Sequence, residues 1–319
     1  MVSPARVDVH EHVVPPAYRK LLADRGLDSG GWSIPAWSRG DAIAMMDAQG
    51  IATGLLSVST PGVHLGDDAE ARTLARQVNE YVAELAKDRP DRFGQFASIP
   101  LPDVDGAVAE VAHALDELHA DGVVLLASPG GRYLGDPAFE PLWAELDARA
   151  AVVFVHPTEL AMPMLPGIPA PVVDYTFDTT RTAVQLVLNG VMSRHTRVKV
   201  ILSHAGGSLP YVAHRVAVAA NLLDPVKHTV DGVLADLKRF YFDTALSGSP
   251  TALPSLLAFA EPGHVLYGSD WPYAPIDAGA YFNRHLDTYG NWEPGQLHAV
   301  NRGSAEALFP RLAPAADPV

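Results

Sequence analysis

The segment Val7-Asp8-Val9-His10-Glu11-His12 is a short apolar run that closes on two histidines one residue apart. On a strand, residues i and i+2 point to the same face, so His10 and His12 can aim two imidazole nitrogens at one point in space. A chain with 13 histidines in 319 residues produces such pairs readily by chance. The pair gains meaning from what the other strands end in.

Composition bounds the possibilities. Apolar residues make up 48% of the chain and charged residues 19%, enough to build a sizeable core. The formal net charge is -14, with 23 basic against 37 acidic side chains. This opposes a nucleic-acid role, which needs clustered lysine and arginine. No apolar stretch approaches the roughly 18 residues of a membrane span, and no charged-then-apolar leader pattern is visible. A soluble, cytoplasmic protein with a small-molecule partner is expected, with no nucleic acid and no membrane. There is no cysteine, so any metal must sit on histidine and carboxylates. Zinc suits such a set best, with manganese as the alternative.

Short β-rich apolar runs occupy residues 6–10, 52–59, 92–100, 122–127, 151–156, 198–204, 240–245 and 264–270. Between them, helical spacing covers 41–48, 67–87, 103–119, 137–149, 178–194, a pair within 209–238, and 250–259. Asp67, Asp103, Asp136 and Asp178 stand as caps ahead of several of these. Strands apolar on both faces, alternating with helices eight times, predict a single (β/α)8 TIM barrel, somewhat distorted, over residues 1–312. Residues 313–319 form a small, Pro-rich tail expected to be flexible. An open doubly wound sheet is the competing arrangement, but the count of eight and the lack of a glycine-rich dinucleotide fingerprint disfavour it. Irregular stretches at 27–40 and 157–175 follow strands one and five, where barrels carry their substrate loops. Trp32 and Trp37, in the first of these, either line a pocket or pack on the barrel rim.

The remaining strand ends complete a pattern. Strand five ends in Val155-His156-Pro157, strand six runs into Ser203-His204-Ala205-Gly206-Gly207, and strand eight into Gly268-Ser269-Asp270-Trp271-Pro272. In a barrel these ends meet at one mouth. Singly, His156 or His204 would pass as a hydrogen-bonded rim residue, Asp270 as a cap or ion-pair partner, and Asp8 as a support for the first strand. Together, three nitrogens and a carboxylate suit a catalytic divalent ion with a position left open. An unpaired carboxylate at the end of an apolar strand would cost several kcal/mol, and a cation removes that cost.

The motifs Asp8-Val9-His10-Glu11-His12, His156, Ser203-His204-Ala205-Gly206-Gly207 and Gly268-Ser269-Asp270-Trp271-Pro272, in that order, resemble the amidohydrolase superfamily. The closer resemblance is to its decarboxylase branch, which includes aminocarboxymuconate semialdehyde, γ-resorcylate and 6-methylsalicylate decarboxylases. Residues 57–64 with Asn79-Glu80-Tyr81, and Phe177-Asp178-Thr179-Thr180-Arg181, extend the likeness over nearly the whole chain. The resemblance implies that His10, His12, His156 and Asp270 hold one metal ion and that His204 is a catalytic histidine. Two-metal members carry a modified lysine at the end of strand four. Strand four ends here in Val124-Leu125-Leu126-Ala127-Ser128, and Lys199 opens strand six at the opposite end of the barrel, so one ion is expected. Arg215 matches an arginine that some relatives lend across a dimer interface to the substrate carboxylate, which implies a homodimer or higher homo-oligomer. Ala42 stands where the semialdehyde decarboxylase carries a further carboxylate-binding arginine, so a monocarboxylate fits better than a dicarboxylate.

The expected activity is metal-dependent, non-oxidative decarboxylation of a hydroxylated aromatic acid of salicylate type. Asp270 would deliver the proton with His204 assisting, or the two would exchange these roles, and Trp32, Trp37, Trp271 and Phe177 would wall the ring. Two other readings share the ligand set: hydrolysis of an amide, lactone or ester by a metal-activated water, and metal binding without catalysis.

Overall fold

A strand that is apolar on both faces must be covered on both, and the chain achieves this by closing its strands into a ring wrapped by helices. The computed structural model describes residues 4–160 and 163–313. The strands are β1 (Arg6–His12), β2 (Ile51–Ser57), β3 (Phe93–Ser98), β4 (Gly122–Leu126), β5 (Val152–His156), β6 (Lys199–Leu202), β7 (Tyr241–Asp243) and β8 (Val265–Leu266). All eight pair in parallel with their chain neighbours. Bridges from Asp8 to Tyr267 and from Glu11 to Trp271 join the last strand to the first. The result is the (β/α)8 barrel expected from the alternation.

The outer helices are α1 (Pro16–Asp24), α2 (Arg39–Gln49), α3 (Asp68–Asp88), α4 (Val104–Asp116), α5 (Glu140–Ala148), α6 (Asp174–Leu188), α7 (Val191–Arg194), α8 (Leu209–Leu223), α9 (Val230–Lys238), α10 (Ala252–Phe259) and α11 (Ile276–Asp287). Asp67 and Asp103 cap α3 and α4, accepting from the backbone N–H of Glu70 and Gly106. Asp178 is not a cap. It lies inside α6, fully buried, and its carboxylate accepts from Ser128 Oγ at 3.0 Å and Thr158 N at 2.8 Å, tying together the segments that follow β4 and β5. The single helix expected over 178–194 is two, divided at Gly190, whose φ of 74° ends the α-helical path. Helix α1 escapes the periodicity reading because Pro15-Pro16 looks like a break, yet proline is well tolerated at a first helical position.

A large hydrophobic cluster lies between strands and helices. A second draws Val9, Leu55, Phe96, Phe154, Ile201 and Leu266 from six strands and so fills the ring itself, with Phe309 packed against Phe96. Among the described residues no helix is long and apolar enough to cross a membrane. The expected flexible tail lies outside the described residues beyond Ala313.

Phe154 stands at the centre of the interior, stacked on Phe96 at 5.4 Å and edge-on to His10 at 4.8 Å. Phe154→Ala is expected to destabilise the fold by about 3–5 kcal/mol, measured by urea unfolding.

Candidate active site

The two histidines of β1 owe their aim to an irregularity. Pairing with β2 slips between Asp8 and Glu11, where Val9 and His10 stand opposite Leu55 alone. A bulge of this kind bends the strand and re-aims a side chain. Asp8 supports it from within, accepting from His10 N at 2.9 Å and from Ser269 N at 3.1 Å. The outcome is a pair of rings with Nε2 atoms 3.1 Å apart. Glu11 stays outside this cluster. Its carboxyl is buried without a hydrogen-bond partner among the described residues and lies against Gly54, where a Cβ would come within 2.0 Å of Oε2. Burial, then the neighbouring Asp8, pushes its pKa well up.

His10, His12, His156 and Asp270 bring one ligand atom each within 4.8 Å of one another, all four side chains buried. The tautomers follow from what each ring faces. His10 Nδ1 faces Asp243 Oδ2 at 2.7 Å, His12 Nδ1 faces Ser57 Oγ at 3.0 Å and the Ser57 carbonyl at 3.3 Å, and His156 Nδ1 faces the Pro157 carbonyl at 2.7 Å. Carboxylates and carbonyls only accept, and the Ser57 hydroxyl donates to the Glu11 carbonyl at 3.4 Å, so each Nδ1 carries the proton and each Nε2 presents a lone pair. Three lone pairs and the Asp270 carboxylate then converge, an arrangement that calls for a cation. Without a metal ion the smallest available cation is a proton. Burial lowers the His10 pKa, but the facing Asp243 and Asp270 carboxylates outweigh it and push it up to about 10. Burial raises Asp270, and the charge on His10 with hydrogen bonds from the surrounding histidines overrides this to hold it well below the usual carboxylate range. The donor set therefore fits a single divalent ion.

Asp270 and His204 stand together beside the cluster. Asp270 Oδ1 lies 3.1 Å from His12 Nε2, while Oδ2 lies 3.4 Å from His204 Nε2. Both residues hold left-handed backbone conformations, φ 62° and 53°, as does Ala205 at 56°. Such strain in residues other than glycine concentrates at functional sites. Strand β8 ends at Leu266, so Asp270 reaches the cluster from the turn beyond the ladder and not from the strand end itself.

Asp243, at the end of β7, was not singled out from sequence. Its carboxylate accepts from His10 Nδ1 and from His204 N at 2.9 Å, so one group orients the rings that follow β6 and lie on β1. The available signal was an aspartate closing a buried strand, the same signal that marks Asp270.

A cavity of about 370 Å³ opens from His156, His204 and Asp270. Two loops meet over it, as Ala170 N donates to the Gly30 carbonyl at 2.8 Å and Gly30 N to Glu159 Oε1 at 3.1 Å. Ser29, Ser59, Tyr175 and Tyr273 give it a hydroxyl-bearing wall, and Tyr273 packs edge-on to His12 at 5.3 Å. Trp32 lines the mouth. Three aromatic residues expected to wall the ring lie elsewhere. Trp37 is buried in the outer core against Tyr81, Trp271 is buried in the same core, and Phe177 sits half-exposed on α6. Apolar aromatics beside a site in sequence went to the larger apolar surface available behind it. Arg215 lies on the exposed face of α8 and does not line the cavity of its own chain.

Asp243→Asn leaves the four metal-cluster side chains in place but removes the acceptor that fixes the His10 tautomer. A loss of about 10–100-fold in Zn2+ affinity is expected, read by competition with a chelating dye. Affinity in the native protein should rise with pH through the neutral range, because the ion displaces the proton that His10 holds.

The amidohydrolase sequence profile matches residues 7–311. A 6-methylsalicylic acid decarboxylase from Penicillium expansum is 41% identical, covering 97% of this chain and 97% of its own. Another, from Aspergillus aculeatus, is 42% identical over 96% of each. The crystal structure of an amidohydrolase II superposes with a TM-score of 0.89 at 33% identity, spanning 96% of this chain and 99% of that one. Barrel, metal cluster and full-length similarity agree, and the chain belongs to the amidohydrolase family.

Proposed function

We propose that this protein is a metal-dependent, non-oxidative decarboxylase of a salicylate-type aromatic acid. The observation that carries the reading is the buried three-histidine, one-carboxylate cluster at the base of a cavity of about 370 Å³, in a chain 41% identical to a 6-methylsalicylic acid decarboxylase. His10, His12, His156 and Asp270 are assigned as ligands of one divalent ion. Zinc suits their nitrogen-rich set, and manganese is the alternative that metal analysis distinguishes.

The bound ion supplies Lewis acidity toward the carboxylate and the adjacent phenol oxygen of the substrate. The chain's own groups do the rest. Asp243 and the Ser57 and Pro157 carbonyls hold the three rings in a single tautomer, so the substrate meets a preformed site. Asp270 is the proton donor to the ring carbon that bears the carboxylate, through Oδ2, the oxygen turned toward His204. Because its surroundings hold Asp270 as a carboxylate, the proton reaches Oδ2 only in passing, handed over by the neighbouring His204 Nε2. Once the ring carbon is protonated, the bond to the carboxylate breaks, its electron pair restores the aromatic ring, and carbon dioxide leaves. The buried walls of the cavity exclude water that would compete for the proton.

A homodimer completes this reading. Tyr211, Leu222 and Leu223 are 86%, 78% and 86% exposed on α8, an apolar stripe unusual for a surface helix. Arg215 shares the exposed face and makes no hydrogen bond or ion pair among the described residues. Its planar fork suits a substrate carboxylate in the partner's cavity.

Incubation of zinc- or manganese-loaded protein with 6-methylsalicylate is expected to release carbon dioxide and 3-methylphenol in equal amounts. Activity on lactones or amides alone, with no carbon dioxide, would replace the reading with hydrolysis. His204→Asn should keep the metal content and lose about 100-fold or more in turnover. Leu222→Asp with Leu223→Asp should elute as a monomer on gel filtration, and a dimer in that variant would remove α8 as the interface.

A further inference from the structure

Strands β6, β7 and β8 are each followed by a residue other than glycine in the left-handed region: His204 at φ 53°, Leu246 at 50° and Asp270 at 62°. All three line the cavity. The chemistry proposed above uses the first and the third, and leaves Leu246 without a task. Glycine or asparagine adopts this conformation at little cost, and a branched leucine does not. Its side chain belongs to neither hydrophobic core and is only partly buried, so core packing does not offset the strain. The turn that carries it is pinned to the metal cluster, for Ala245 N donates to Asp243 Oδ1 at 3.0 Å and Ser247 N to the Thr244 carbonyl at 3.0 Å. Leu246 is thus held at a fixed place in the cavity wall by the same carboxylate that orients His10.

The cavity lining is mixed. Ser29, Ser59, Tyr175, Thr176, Ser247 and Tyr273 carry hydroxyls, whereas Leu246, Ala278 and Phe282 carry only carbon in their side chains. A ring whose carboxylate end would be held beside His156 and Asp270 would present its remaining edge to this lining. We infer that Leu246 is a specificity-determining residue that selects salicylates bearing an alkyl group on the ring edge facing it over those bearing a hydroxyl there. The inference rests on the decarboxylase reading for the identity of the substrate. A hydroxyl seated against the Leu246 side chain leaves water without gaining a partner from it, whereas a methyl group loses nothing there.

Two acids of nearly equal shape test it. 6-Methylsalicylate and 2,6-dihydroxybenzoate differ only in methyl against hydroxyl at one carbon. The native protein is expected to favour the methyl acid in kcat/KM by about tenfold or more. Leu246→Met, equally apolar, should keep that ratio, and Leu246→Asn should reduce it to near unity while its melting temperature holds or rises as the backbone strain is relieved. Leu246→Gly serves the same purpose should the asparagine variant not fold. Calorimetric dissociation constants for 3-methylphenol and resorcinol give a second readout that needs no turnover, and the methyl preference should vanish there too. A ratio in the asparagine or glycine variant within about twofold of the native one overturns the role of Leu246. If the native protein decarboxylates neither acid, the decarboxylase reading falls, and the phenol titrations alone then decide for or against Leu246.

Discussion

Three imidazole rings hold their proton on the same nitrogen because each turns that nitrogen toward a carboxylate or carbonyl oxygen. Everything distinctive about the barrel mouth follows from that constraint. Asp243, the Ser57 carbonyl and the Pro157 carbonyl come from three separate strands or strand ends, and each fixes one ring. Loss of any one would let the ring rotate or change tautomer, and a lone pair would turn away from the common point. The strain at His204, Ala205 and Asp270 belongs to the same design, since left-handed turns bring side chains back over the barrel axis immediately after the ladder stops. Backbone and hydrogen bonds therefore preorganise the cluster.

The barrel was legible in sequence because its signal is repeated. Eight apolar runs separated by helical periodicity leave few topologies, and errors in any one element, such as the shortened β8 or the division of α6 from α7, do not change the count. The convergence of His10, His12, His156 and Asp270 was legible for a related reason, since strand ends in a barrel share one address. His10 and His12 share an aim as alternation implies, although the strand between Asp8 and Glu11 carries a bulge that includes His10.

What escaped notice lies in groups whose role depends on a partner far away in the chain. Asp243 is one aspartate among many until His10 is seen 2.7 Å away. Tyr273 and Leu246 sit on loops, where no period fixes which side chain turns inward, and Tyr175 sits in the first turn of α6, ahead of the helical spacing read from 178 onward. Trp37 and Trp271 show the reverse error. Proximity in sequence to a site does not tell which side of the backbone an aromatic ring takes, and both rings are buried in the outer core. Asp178 has the composition of a cap but serves as a clasp between the segments after β4 and β5.

The closure of β8 onto β1 has a consequence for how the protein matures. Backbone bonds from Val9 N to Tyr267 O, Asp270 N to His10 O and His12 N to Trp271 O run along this seam, and His12 and Asp270, 258 positions apart, meet across it. The metal cluster thus joins the two ends of the barrel sequence to His156 from its middle. A growing chain emerging from the ribosome cannot form it until the eighth unit has been made, however well the earlier strands have paired. The complete ligand set forms only once the ring closes, and a bound ion would tie the first strand to the last in the manner of a clasp on a bracelet. Truncated or stalled chains would lack the complete ligand set, which reserves the cluster for chains that have been finished.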